Sequence, residues 1–106
     1  MKTLKELIEF LESMDPDAYV QYGFGSAHSD RGYYEHLAFD PQPNTFGNML
    51  QIAKEALGLE FTGYKGGDYL ATEKTIVKIG RWGESGDSIT EHTFNLWKYL
   101  NRDYDV

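Results

Sequence analysis

The feature that most constrains this chain is a pair of capped, amphipathic stretches with β-type sequence between them. Thr3 is followed three residues later by Glu6, the reciprocal capping-box pair, and Leu4, Leu7, Ile8, Leu11 and Met14 recur at helical spacing until Asp15-Pro16 ends the pattern. The spacing predicts a helix over about residues 4–14. Further on, Asn44-Thr45 offers an N-cap, and Phe46, Met49, Leu50, Ala53, Ala56 and Leu57 line one face. Gly58 stands where a C′ glycine belongs, which predicts a second helix over about residues 45–57. Between the two, Tyr19-Val20-Gln21-Tyr22-Gly23-Phe24 is aromatic and β-branched, as strands are, and runs into a polar, glycine-containing segment from Gly25 to Gly32. Tyr33 to Phe39 reads as the next strand, with Pro41 and Pro43 marking its exit.

After the second helix come Leu59-Glu60-Phe61, a turn-rich segment from Thr62 to Tyr69, a strand over about Thr75 to Trp82, and a loop from Gly83 to Asp87. The tail fits two patterns. Thr93, Leu96, Trp97 and Leu100 suit a helix capped by Ser88 or Thr90, while Ile89, Glu91 and Thr93 also suit a strand; the helix is preferred. The order αββαββα predicts an α+β domain, a small antiparallel sheet with an N-terminal helix and one or two further helices. With 106 residues the chain makes one domain, burying roughly 65% of its unfolded surface.

Composition removes several function classes. The absence of cysteine excludes a disulfide scaffold, a thiolate zinc site and a cysteine nucleophile, and fits a reducing cytoplasm. The formal net charge of -7, from 17 acids and 10 Lys and Arg, argues against a long polyanionic partner or an anionic membrane, because such binding is driven by Lys and Arg neutralising phosphates. No apolar run approaches the roughly 20 residues of a membrane span, and Met1 to Glu12 lacks the features of a signal peptide, so an intracellular protein is expected.

Nine of the 11 glycines fall in three clusters: Gly23, Gly25 and Gly32; Gly63, Gly66 and Gly67; Gly80, Gly83 and Gly86. Each cluster carries a cation beside aromatics: Arg31 next to Tyr33 and Tyr34, Lys65 between Tyr64 and Tyr69, and Arg81 beside Trp82. Glycine lets backbone N–H groups approach an anion, Arg offers phosphate a bidentate fork, and an aromatic face stacks on a base. These are parts of a nucleotide site assembled from loops, without the GxGxxG or GxxxxGK[ST] arrangement of a dinucleotide fold or P-loop. The plainer alternative is that glycine, tyrosine and aspartate are ordinary hairpin residues and the cations solvated side chains. Arg31 is the strongest candidate, since its loop has no other positive charge; the competing assignment is a salt bridge to Asp30 or Glu35.

Catalytic and metal chemistry are less favoured. His28, His36 and His92 are scattered, with no HxH or HExxH spacing, so no metal site and no cofactor are expected. Ser26, His28 and Asp30 invite a triad, but residues two apart seldom meet in that geometry, and no GxSxG elbow is present. An enzyme is therefore not expected. The 8 Tyr, 6 Phe and 2 Trp exceed the needs of one small core, which places some at a ligand site or subunit interface.

Two segments together carry a resemblance: Gly23-Phe24-Gly25 through His28-Ser29-Asp30-Arg31-Gly32-Tyr33-Tyr34-Glu35, and Phe61-Thr62-Gly63-Tyr64-Lys65-Gly66-Gly67-Asp68-Tyr69. Over roughly residues 1–83 the chain resembles a family of small phage proteins that includes the type-one anti-Thoeris sponges, which sequester the cyclic ADP-ribose isomer signal of bacterial TIR-domain defence enzymes without degrading it. The resemblance implies a homo-oligomer, dimer to hexamer, built partly through the N-terminal helix, with pockets at subunit interfaces in the cytoplasm of an infected bacterium. It also makes cyclic oligonucleotides a possible second ligand type. Phosphate binding carries over to Arg31, with Arg81 and Arg102 as possible partners, and base stacking to Tyr69 or Trp82. The segment after Trp82 departs most from the family.

The ligand-binding set expected on these grounds is Arg31, Tyr33, Tyr34, Lys65, Gly66, Tyr69, Arg81 and Trp82. The competing class is an acidic protein–protein inhibitor that mimics nucleic acid, with Asp15, Asp17, Asp30, Glu35, Asp40, Glu55, Glu60, Glu84 and Asp87 as its surface. A small nucleotide hydrolase is the third reading.

Overall fold

The structure, a computed structural model, describes residues 1–32 and 34–104, with the side chains of residues 100–104 outside that description. Helix α1 (Leu4–Glu12) begins where Thr3 and Glu6 require it: the Thr3 hydroxyl accepts the Glu6 N–H at 3.2 Å and Glu6 Oε1 accepts the Thr3 N–H at 3.1 Å. Its stripe of Leu4, Leu7, Phe10 and Leu11 is buried in the chain's own core, leaving Lys5, Glu9 and Glu12 on the outer face. Each such buried Leu or Phe contributes about 1.5–3 kcal/mol of transfer free energy. Any contact of α1 with another subunit would therefore use its charged face.

Two short strands, β1 (Tyr19–Val20) and β4 (Asn44–Thr45), pair with each other ahead of helix α2 (Phe46–Ala56). The Thr45 hydroxyl caps α2 by accepting the Asn48 N–H, and Gly58, at φ +87°, turns the chain out of the helix. The main sheet has the order β2 (Phe24–Ser29), β3 (Leu37–Pro41), β7 (Val77–Ile79), β8 (Asp87–Ser88). A separate hairpin joins β5 (Glu60–Thr62) to β6 (Asp68–Leu70). Helix α3 (Glu91–Tyr104) follows β8, with the Thr93 hydroxyl accepting the Thr90 N–H and the Phe94 N–H donating to the Thr90 carbonyl. The three helices and small sheets make an α+β fold.

The structure departs from the sequence-based expectations in several places. The segment Tyr19 to Phe24 is not one strand, since a turn at Gln21 and Tyr22 separates β1 from the start of β2. The sheet is mixed, because β3 and β7 are parallel, with Leu37 opposite Val77 and Phe39 opposite Ile79; the long crossover through α2 and the β5–β6 hairpin makes that direction possible. The segment expected to be a polar loop from Gly25 is strand as far as Ser29. A register shift between Phe24 and Ala27 breaks the side-chain alternation, and the strand's end is buried by hydrogen bonds instead of apolar side chains. The next strand begins at Leu37, with Tyr34 to His36 ahead of it and the expected start at Tyr33 outside the described residues, and it includes Pro41 at its last position. The strand expected over Thr75 to Trp82 is confined to Val77–Ile79, because Gly80 turns away to begin a loop. In the tail the preferred helix forms and takes in Glu91 and Thr93, so the alternative strand through Ile89, Glu91 and Thr93 is not made; the short strand β8 lies ahead of it, at Asp87–Ser88.

Aromatic rings fill the core. Phe10 stacks on Phe94 with centroids 4.2 Å apart, Phe24 lies 4.4 Å from Phe39, and Trp97 sits among Phe10, Phe24 and Phe94 while its Nε1–H donates to the Tyr22 carbonyl at 3.0 Å. No helix among the described residues is long and apolar enough to cross a membrane.

Candidate ligand site

The segment after strand β2, the β5–β6 hairpin and the β7–β8 loop come together around Tyr64. The second and third glycine clusters lie in the hairpin and that loop, whereas of the first only Gly32 is near, since Gly23 and Gly25 pack against Gln42 at the start of β2. Asp30 follows β2; its N–H donates to the His36 carbonyl at 2.9 Å, which sets the backbone from which Arg31 projects. The guanidinium Cζ of Arg31 lies 5.8 Å from the Tyr64 ring centroid, and its Nη1 donates to the Gly83 carbonyl at 3.4 Å. Lys65 Nζ lies 5.6 Å from the same ring. Trp82 completes the group edge-on, its centroid 5.5 Å from that of Tyr64, and remains 59% exposed. Two cations and one indole thus surround Tyr64.

The competing salt bridge for Arg31 is not made. Asp30 is 4% exposed and its carboxylate is taken by Lys78 Nζ at 3.0 Å and by the Gly86 N–H at 2.8 Å. Among the described residues, Arg31 forms an ion pair with neither Asp30 nor Glu35. The same burial removes Asp30 from the acidic surface that a nucleic-acid mimic would present.

The hairpin that carries Tyr64 and Lys65 is held down by a buried hydroxyl pair. Ser29 Oγ donates to the Thr62 carbonyl at 2.6 Å and lies 3.1 Å from the Tyr69 hydroxyl, which donates to the His36 carbonyl at 3.0 Å. Burial pushes the Tyr69 phenol up, the hydrogen bond with Ser29 opposes that, and the Glu35 and Asp30 carboxylates add to it; the hydroxyl keeps its proton and stays a donor. At the turn, Gly66 and Gly67 take φ of +91° and +81°, and the Gly63 N–H donates to the Gly67 carbonyl at 2.8 Å. Trp82 is steadied from its other side by His28, whose ring meets it at 85° with centroids 5.9 Å apart. The His28 Nε2 faces the Gly80 carbonyl at 2.8 Å and Asp40 Oδ1 at 3.1 Å.

Arg31, Lys65 and Trp82 come together, and Tyr64, quoted in the motif but not expected as a ligand residue, lies at their centre. Tyr34 is 72% exposed and stacks on His36 at 5.3 Å, beside a hollow of about 410 Å³ that also takes in Lys74 and Leu70. Gly66, Lys65, Tyr34 and the edge of Tyr69 line a second hollow of about 270 Å³. The Tyr69 ring is otherwise buried against Phe61, so Tyr64 and Trp82 present the stacking faces. The Arg81 side chain is exposed on the β7–β8 loop beside Trp82. Tyr33 and the Arg102 side chain lie outside the described residues.

The glycine amides are less available than their composition implies. Those of Gly63, Gly66, Gly80 and Gly86 donate to Gly67, Gly63 and Phe39 carbonyls and to Asp30 respectively. An anion here would be held chiefly by the side chains of Arg31 and Lys65. Ser26 and His28 lie on β2 and Asp30 just beyond it, but His28 meets Asp40 and Asp30 meets Lys78. Among the described residues, no three His, Asp or Glu are grouped to hold a metal ion.

The partners of Asp30 had no signal in the sequence, because Lys78 and Gly86 lie 48 and 56 residues away. No protein-family model, curated protein or solved structure matches the chain.

Proposed function

We propose that this protein binds and sequesters a cyclic nucleotide immune signal, a cyclic ADP-ribose isomer, without degrading it, and so blunts an anti-phage defence in the bacterial cytoplasm. The observation that carries this reading is the convergence of Arg31, Lys65, Tyr64 and Trp82 from three separate loops. The resemblance to anti-Thoeris sponges supplies the ligand class. Arg31 would pair with one phosphate through its fork, Lys65 would act as a point charge on the other, and Tyr64 or Trp82 would stack on adenine.

A sponge that works at nanomolar signal needs about -12 kcal/mol. A stacked base supplies about 1–3 kcal/mol and each charge-assisted hydrogen bond about 1.5–3 kcal/mol, so the exposed site of one protomer falls short. Enclosure by a second copy would supply the rest, consistent with the oligomer the resemblance implies. The acidic exterior is compatible with such a ligand, which needs only a local positive pocket.

The test is to incubate the purified protein with cyclic ADP-ribose isomers and cyclic oligonucleotides, wash, denature and identify what is released by mass spectrometry. Intact ligand at stoichiometric yield supports the reading, and converted product would make the protein a hydrolase. Arg31→Ala is expected to abolish retention while leaving the oligomer unchanged; undiminished retention overturns the site. Salt-sensitive binding to a basic protein, with no small molecule retained, would instead support the acidic-inhibitor class.

A further inference from the structure

We propose that Asp30 is the positioning residue of this site: one buried carboxylate locks the loop that carries Trp82 and Gly83 against the strand end that carries Arg31. The proposal rests on the ligand-site reading above for its functional meaning, although the latch itself stands on geometry alone.

Asp30 and Arg31 are consecutive, so whatever fixes the first aims the second. The Asp30 backbone is tied to His36, and its side chain reaches Gly86, the last residue of the β7–β8 loop. Oδ1 accepts the Gly86 N–H at 2.8 Å, and Oδ2 accepts from Lys78 Nζ at 3.0 Å, with the two side chains only 5% and 17% exposed. A charge buried this far is tolerable only when paired, and Lys78 supplies the pairing. Gly86 supplies the connection, because it closes the loop in which Trp82 lies edge-on to Tyr64 and the Gly83 carbonyl receives Arg31.

The loop is drawn in tightly at that point. A Cβ placed on Gly86 would lie 3.1 Å from Asp30 Oδ1, and one placed on Gly80 would lie 2.6 Å from Gly86 Cα. Lys78, though a cation near the site, has its charge committed to Asp30 and leaves anion binding to Arg31 and Lys65.

The test separates the ion pair from the latch. Asp30→Leu with Lys78→Met removes both charges together and leaves Gly86 without an acceptor. Asp30→Asn with Lys78→Met also removes the charges but keeps a carbonyl oxygen for the Gly86 N–H. The readouts are Gly86 amide exchange and the Trp82 indole resonance by NMR, with the Trp97 indole resonance as the control for the core, and the affinity for cyclic ADP-ribose.

In the unsubstituted protein the Gly86 amide is expected to be protected despite lying in a surface loop. The Leu/Met protein is expected to lose that protection on the order of tenfold, to shift Trp82 but not Trp97, and to bind cyclic ADP-ribose about tenfold more weakly. The Asn/Met protein is expected to keep all three properties. An unprotected Gly86 amide in the unsubstituted protein, or an unmoved Trp82 resonance in the Leu/Met protein, overturns the proposal. Should the unsubstituted protein bind no cyclic ADP-ribose, the ligand reading fails, while the two resonances still decide the latch.

Discussion

Around Trp97 this protein is held by rings packed against rings, whereas the loops around Arg31 are fixed chiefly by a few buried polar contacts. Phe10, Phe24, Phe94 and Trp97 exclude water collectively, so no single geometry has to be met closely. At the other end Asp30, Ser29, Tyr69 and His28 each hold one loop through bonds of 2.6–3.1 Å, and each bond has a required direction. The core is therefore tolerant in form and costly to empty, while the site end is inexpensive to perturb and exact in form. Loops carrying ligand residues are commonly arranged in this way on a firm scaffold.

Emptying the core should give the largest effect. Trp97→Ala removes a side chain that is 1% exposed and unpartners the Tyr22 carbonyl, and should lower stability by about 3–5 kcal/mol, measured as a fall in the urea midpoint. A loss below about 1 kcal/mol would mean that the ring packing is not what holds this end.

Ser29→Ala should cost less, about 1–3 kcal/mol, because it leaves the Thr62 carbonyl without its side-chain donor. Its signature is local: hydrogen exchange should accelerate in β5 and β6 while the helices keep their protection. Uniform acceleration throughout the chain would dissolve the contrast between the two regions.

The smallest effect should be a pH dependence from His36. Burial holds its imidazole below the ordinary value of 6.5, the Lys78 ammonium lowers it further and the Asp30 carboxylate opposes both. Its Nδ1 is a buried polar atom without a hydrogen-bond partner. The unfolded chain therefore takes up the proton first, so this contribution to stability is intact above about pH 6.5 and declines as pH falls below it. His36→Phe should flatten that decline between pH 7 and 5 in urea titrations, and an unchanged slope would assign it to other groups.

These regions also differ in how far the sequence discloses them. The capping box at Thr3 and the stripes of α1 and α2 are local patterns with a fixed period, and the helices lie within two residues of where that period puts them. Strand β2 was hidden from the same reasoning, since a register shift interrupts its alternation and hydrogen bonds bury its end. The site was legible as composition, in three clusters of glycine, cation and aromatic, but composition does not say which of them touch. That Tyr64 is central, that Tyr69 turns inward, and that Asp30 chooses Lys78 over Arg31 depend on contacts between distant segments. The parallel pairing of β3 with β7 is likewise a property of the long crossover between them and of no local residue.

The close approach of Gly80 to Gly86 makes the segment between them a cassette with a sealed neck. The chain leaves β7 at one glycine and returns to β8 at the other, while the Glu84 N–H closes an internal turn on the Arg81 carbonyl. Arg81, Trp82, Glu84 and Ser85 can therefore change identity without disturbing the sheet, whereas Gly83, at φ +85°, is held to glycine, and the aromatic that this segment displays can be exchanged apart from the scaffold beneath it.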